Sequence, residues 1–181
     1  MKKFVNVLSE GRRRLRMKKF ECYLAGASAE PDITVVERYM GLLRSAGHVI
    51  TFDWTKAVRA AGSGSPPDKD VRSSAALTDL QGVERCQIFW LLQPSNQSTG
   101  AWVELGHALA FKKVRSLLGT KRPIIIVSGA TERCIFADEH PQLVDYRFGS
   151  FPPGADPSSL GIATSSHDRA LAQIKRLAEE V

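Results

Sequence analysis

Alternating apolar runs and amphipathic segments predict an α/β protein built on a parallel sheet with helices on both faces. Three observations carry this expectation. Strand and helix patterns alternate at least four times along the chain. The run "QIFWLLQ" (87–93) is apolar almost throughout, as a central parallel strand buried on both faces must be. The 181 residues suit a single domain with a sizeable core. Such a sheet is Rossmann-like or flavodoxin-like.

The elements follow in order. "FECYLAGAS" (20–28) reads as a short buried strand running into small residues. Residues 35, 36, 39, 40, 42 and 43 are apolar, which is helical periodicity, and Gly47 stands where a helix stop belongs. "HVITFDW" (48–54) is the second strand. "AAGSGSPPDKD" (60–70) packs Gly, Ser and Pro into the clearest loop, and its length beside an α/β ligand site suits a lid. Residues 71–86 read as a helix, 87–93 as the third strand, "PSNQSTG" as a turn and 99–113 as the next helix. "KRPIIIVSG" (121–129) is a fourth strand, marked by its β-branched run. Residues 130–164 are rich in loop signals, with a short strand at 143–148. The chain closes on an amphipathic helix capped at Ser166 or a nearby polar residue.

Charge divides the chain into a basic arm, residues 1–19, and one domain, 20–181. The arm holds eight cations (Lys2, Lys3, Arg12, Arg13, Arg14, Arg16, Lys18, Lys19) against Glu10, whereas the remainder has seventeen basic and eighteen acidic residues. A basic arm can bind nucleic acid or an anionic membrane. It reads here as a solvated tail, because no aromatic residues interleave with the arginines for base stacking. The arm lacks the roughly 7–15-residue apolar core of a signal peptide. No apolar run approaches the roughly 20 residues of a membrane span. Cys22, Cys86 and Cys134 are odd in number and without metal-ligand spacing. They read as reduced core residues of a cytoplasmic protein. His48, His107, His140 and His167 have no metal spacing either.

Ligands of such sheets bind outside the carboxyl ends of the strands, which directs attention to residues 25–28, 53–56 and 93–104. In "STGAWVELGHALAF" (98–111) an acid, Glu104, stands between glycines near the start of a helix. Gly100 and Gly106 let a ligand approach closely. An N-cap at Ser98 or Thr99 puts Glu104 within the first two turns, where the helix dipole favours its ionised form. An ionised, oriented carboxylate suits covalent glycosyl transfer. A solvated helix glutamate is the plainer reading. Asp79 sits in mid-helix, where Asp has poor propensity, and alone reads as an exposed acid. Tyr23 is either a core tyrosine or the group that holds a carboxylate in one rotamer. Asp53 can meet a ribose hydroxyl and Trp54 can stack on a base, or the two can cap a turn and pack. The segment "GAS" after the first strand, which contains Gly26, carries no complete phosphate-loop or serine-hydrolase motif.

Together, "YLAGAS", "TDLQGVERCQIFWLL" and "STGAWVELGHALA" resemble, in that order, segments of the nucleoside 2-deoxyribosyltransferase superfamily, which includes nucleotide N-glycoside hydrolases. The resemblance covers roughly residues 20–128. It implies Glu104 as the nucleophile at the anomeric carbon and Tyr23 as the residue that orients it. It implies Asp79 as a substrate contact that helps protonate the departing base. Ser98 falls where the transferases carry an aspartate and the nucleotide hydrolases a serine near the 5′-phosphate, which leans toward a phosphorylated substrate. The implied ligand is a nucleoside or nucleotide, with no metal or organic cofactor, in a homo-oligomer. With a second base as acceptor the enzyme is a transferase, with water a hydrolase. A non-catalytic nucleotide sensor on the same scaffold is the alternative.

Overall fold

A computed structural model describes residues 17–61, 69–93, 98–129, 144–149 and 165–180. The arm up to residue 16, the turn 94–97, Cys134, His140 and most of 60–70 and 130–164 lie outside the described residues.

The described elements are β1 (Glu21–Ala25), α1 (Asp32–Ser45), β2 (Val49–Ile50), α2 (Trp54–Ala61), α3 (Lys69–Arg85), β3 (Ile88–Leu92), α4 (Thr99–Leu117), β4 (Ile124–Ser128), β5 (Tyr146–Phe148) and α5 (Ser166–Glu179). The five strands form one sheet in the order β2-β1-β3-β4-β5, and every pairing is parallel. This is the flavodoxin-like doubly wound order. β3 lies at the centre, and all five of its residues are buried, which accounts for its unbroken apolar run.

Period-two alternation sorts the side chains to two faces. Tyr23 pairs in register with Phe89, and their rings stack at 5.9 Å on the side covered by α3 and α4. Trp90 points the other way, where Tyr39 of α1 meets it edge-on at 5.2 Å. There its indole N–H donates to Ser128 Oγ at 2.8 Å, and Ser128 Oγ bonds His167 Nδ1 of α5 at 2.7 Å. Buried Ile33, Val36, Tyr39, Met40 and Leu43 form the inner stripe of α1. Gly47 follows at φ +87°, a conformation open to glycine at little cost.

Several boundaries differ from the sequence expectation. The second strand is two residues long rather than 48–54, and a helix begins at once at Trp54. The expected loop 60–70 is thereby trimmed at both ends, by α2 and α3. The cap of α5 falls within the expectation of Ser166 or a nearby polar residue: the Ser165 hydroxyl accepts from the Asp168 N–H while Asp168 reaches back, a complete capping box. Among the described residues no helix is long and apolar enough to cross a membrane.

Candidate active site

The first strand delivers Tyr23, whose side chain is fully buried. Its hydroxyl oxygen lies 2.9 Å from Asp79 Oδ1 on α3 and 2.9 Å from Glu104 Oε1 on α4. These residues are 56 and 81 positions from Tyr23 in sequence. A phenol carries one proton, so it can donate to only one of the two carboxyl oxygens. The other contact at hydrogen-bond distance then requires a proton on that carboxyl, donated to the phenol oxygen. The geometry therefore suits an acid pair that shares a single proton through Tyr23.

Electrostatics agree. Burial, and then the neighbouring Asp79 carboxylate, push Glu104 up to about 8 against the opposing bond from Tyr23. Asp79 is raised as well, chiefly by burial. Tyr23 is raised by burial and by the two adjacent acids, which keeps the phenol protonated. The expectation that the helix N-terminus keeps Glu104 ionised is corrected here. Ser98 is the N-cap, so Glu104 stands in the second turn, past the reach of a dipole effect worth about 0.3–1 kcal/mol. Loss of water outweighs it.

Glu104 Oε2 is buried without a hydrogen-bond partner among the described residues. The Glu104 side chain lines a cavity of about 360 Å³, shared with Asp79, Gly26, Trp54, Ser98 and Gly100. Tyr23 stands behind the wall and holds both acids from the core. The cavity opens at the carboxyl ends of β1 and β3, where the doubly wound sheet places ligands.

Each remaining candidate has its own reason for its position. Trp54 is anchored by its indole N–H, which donates to the Leu24 carbonyl at 2.8 Å, and the side chain forms part of the cavity wall. Gly26 is required by packing: a Cβ there would collide with Val36 Cγ2 of α1. Gly100 has open space where a Cβ would be, so its bareness keeps the cavity wall low. Gly106 also faces open space but is not part of the wall. Ser98 makes no side-chain capping bond. Its hydroxyl and the first N–H groups of α4 are thus available to an anion.

Asp53 stands apart. It does not line the cavity, and its carboxylate is engaged by Arg44, by Lys56 at 3.7 Å and by the Thr55 hydroxyl at 2.6 Å. A ribose contact from Asp53 is not what this geometry provides. His107 faces Glu84 at 3.1 Å and stacks on Phe111, away from the acid pair. Ser28 and Thr99 also line the cavity; both fall in the stretches 25–28 and 93–104 to which the sequence directed attention, without a site role assigned to either. Their places directly after β1 and at the start of α4 were the available signal. Cys22 and Cys86 are buried free thiols raised by burial, as expected of core residues. Among the described residues no group of three or more His, Cys, Asp or Glu could hold a metal.

Compared with models of known protein families, with curated proteins and with solved structures, the chain gives no match, so its chemistry is read from its own residues.

Proposed function

We propose that the protein cleaves or transfers the N-glycosidic bond of a nucleoside or nucleotide through a covalent glycosyl–Glu104 intermediate. The observation that carries this reading is the Tyr23 hydroxyl, placed 2.9 Å from one oxygen each of Asp79 and Glu104, with both acids in the wall of one cavity.

The shared proton supplies the chemistry. With the proton on Glu104, the chain of donors runs from Glu104 to Tyr23 to Asp79. Shifting both protons along the chain leaves Glu104 anionic and Asp79 protonated at no change in net charge. The freed Glu104 carboxylate then attacks the anomeric carbon. The C–N bond breaks, its electron pair leaves with the base, and the Asp79 carboxyl protonates the base nitrogen. In the second step water or a second base gives its proton to the Asp79 carboxylate and displaces Glu104 at the same carbon. The bridge limits the two bonded carboxyl oxygens to a separation of twice 2.9 Å. That is near the roughly 5–5.5 Å of two-step, retaining glycosidases and short of the roughly 6.5–9.5 Å that accommodates an inverting water.

The unengaged Ser98 hydroxyl at the head of α4 favours a 5′-phosphorylated substrate, since helix N-termini accept phosphate readily. The resemblance to the nucleoside 2-deoxyribosyltransferase superfamily points the same way. We also expect a homo-oligomer: Val103, Val114 and Leu117 lie exposed on one side of α4, and light scattering measures the assembly.

The test incubates the protein with nucleosides and nucleoside monophosphates and follows free base by chromatography. Glu104→Gln should abolish release, and the wild type should show a glycosyl adduct by mass spectrometry. Undiminished turnover in Glu104→Gln rejects the nucleophile. Binding without base release in the wild type assigns the protein to the non-catalytic sensor class instead.

A further inference from the structure

One wall of the acid-pair cavity is the short helix α2, which contributes Trp54, Ala57 and Val58. Of its eight residues Trp54 and Thr55 are buried, and both lie in the first turn. Trp54 is pinned to β1 through the Leu24 carbonyl. Residues 56–61 carry side-chain hydrogen-bonding groups only at Lys56 and Arg59. A second wall is the segment that follows β1, where Gly26, Ala27, Ser28 and Ala29 line the same cavity.

Arg59 joins the two walls. Its guanidinium grips Glu37 of α1 with two bonds, Nε to Oε1 at 2.9 Å and Nη2 to Oε2 at 2.8 Å. Its Nη1 donates to Glu30 Oε1 at 2.6 Å, and Glu30 directly follows Ala29 of the cavity wall. The Thr34 hydroxyl closes the ring: it accepts from Arg59 Nη2 at 3.1 Å and donates to Glu30 Oε2 at 2.8 Å. Thr34 and Arg59 hold Glu30, and Arg59 holds Glu37, below the ordinary carboxylate range, so both acids are ionised at neutral pH. A lone exposed ion pair contributes little to stability, but a forked guanidinium–carboxylate pair within a network fixes geometry. Val58 of the wall is next to Arg59 in the chain, so the clamp sets where the second turn of α2 stands.

The reacting groups are carried by other elements: Tyr23 by β1, Asp79 by α3 and Glu104 by α4. Loosening α2 leaves the bonds among these three intact. The wall therefore acts on binding, and contacts made equally in ground and transition states alter KM and not kcat.

We propose that Arg59 is a positioning residue: by tying α2 to Glu30 and Glu37 it holds two walls of the cavity at the width that grips a nucleoside or nucleotide. The ligand class rests on the proposed glycosidic function, whereas the clamp between the walls does not.

The test compares variants of the full chain by base release from a nucleoside monophosphate and by calorimetric titration of the same compound. Arg59→Gln should raise KM and Kd about fivefold, the scale of an exposed ion-pair network, with kcat within about twofold of wild type. Arg59→Lys keeps the charge but loses the fork and should lie nearer to Arg59→Gln than to wild type. Glu37→Gln added to Arg59→Gln should change nothing further, because its partner is already gone. Lys56→Gln removes the same charge from α2 outside the clamp, where Lys56 faces Asp53, and should match wild type. Amide hydrogen exchange in Arg59→Gln should quicken across α2 and stay as in wild type across α3 and α4. Unchanged KM and Kd in Arg59→Gln overturn the proposal. A loss in kcat equal to the loss in kcat/KM does so too, since it places the effect on the acid pair. An equal effect in Lys56→Gln assigns it to charge alone, and faster exchange throughout the fold makes Arg59 a general stabiliser; either overturns the proposal. Absence of base release in the wild type rejects the glycosidic function, and Kd then decides on the clamp by itself. Absence of nucleotide binding as well rejects both.

Discussion

Gly82 of α3 supports the ring of Tyr23. A Cβ at Gly82 would stand 3.1 Å from both Cδ2 and Cε2 of that ring and 2.8 Å from Phe52 Cβ. The helix can lie this close to β1 only where it lacks a side chain. Asp79 is three residues earlier, on the same side of the helix, so the same close approach carries its carboxyl to the Tyr23 hydroxyl.

Gly82→Ala should therefore act on stability and chemistry together. Overpacking of this kind costs about 1–3 kcal/mol, read by chemical denaturation. Displacement of α3 from Tyr23 should lower kcat more than it raises KM. A variant with wild-type stability and kcat would show that α3 moves without moving the acid pair.

Tyr23→Phe separates the ring from its hydroxyl. The stack on Phe89 at 5.9 Å remains, while the bridge between Asp79 and Glu104 is lost. Removal of the proton path should lower kcat by about 10²-fold or more, with circular dichroism unchanged. A rate near wild type would mean that the two acids exchange their proton without the phenol.

Glu104→Gln should stabilise the protein, and the gain should depend on pH. The ordinary value of 4.5 for a glutamate is raised to about 8 in the fold. Below pH 4.5 the acid is protonated in both folded and unfolded chains, so wild type and variant should be similar. Between 4.5 and about 8 the unfolded chain releases a proton that the folded chain retains. Each pH unit there costs the wild type up to about 1.4 kcal/mol. The advantage of the variant should grow across this window and level off above it. Denaturant midpoints at pH 4, 6 and 8.5 measure it, and a constant difference would contradict the raised pKa of Glu104.

The rate should also decline on the alkaline side. In the proposed reaction base release needs one proton on the acid pair, and the profile would report the pair rather than either residue. Loss of that proton should cut kcat/KM above a pH of about 8. A profile flat to pH 10 would mean that no shared proton is needed.

Ser98→Ala should distinguish phosphorylated from unphosphorylated substrates. A hydrogen bond to a charged group is worth about 1.5–3 kcal/mol, so kcat/KM for a nucleoside monophosphate should fall about ten- to a hundredfold. The parent nucleoside should react as before. Equal losses for both would move the phosphate away from Ser98.

Sequence by itself determined the layered α/β fold and the order of its elements. Apolar periodicity is a local property, and the core stripes of α1, α4 and β3 repeat every 3.6 or 2 residues whatever the rest of the chain does. It offered Tyr23, Asp79 and Glu104 only as candidates, each with a plainer reading of its own, and only the resemblance of their three segments taken together gave them roles. The short helix α2 was missed because its eight residues follow a strand of only two, leaving little span in which a period could show. Only the tertiary structure decided what these residues are to one another. The shared hydroxyl joins positions far apart in the chain, and strand order, unlike strand pattern, is non-local. The protonation of Glu104 was misjudged from sequence because it follows from lost water and from Asp79, neither of which a neighbouring residue encodes. Asp53 has its carboxylate taken up by Arg44 and Thr55, and Gly26 owes its bareness to Val36. Charge and space at a site are set by what folds against it.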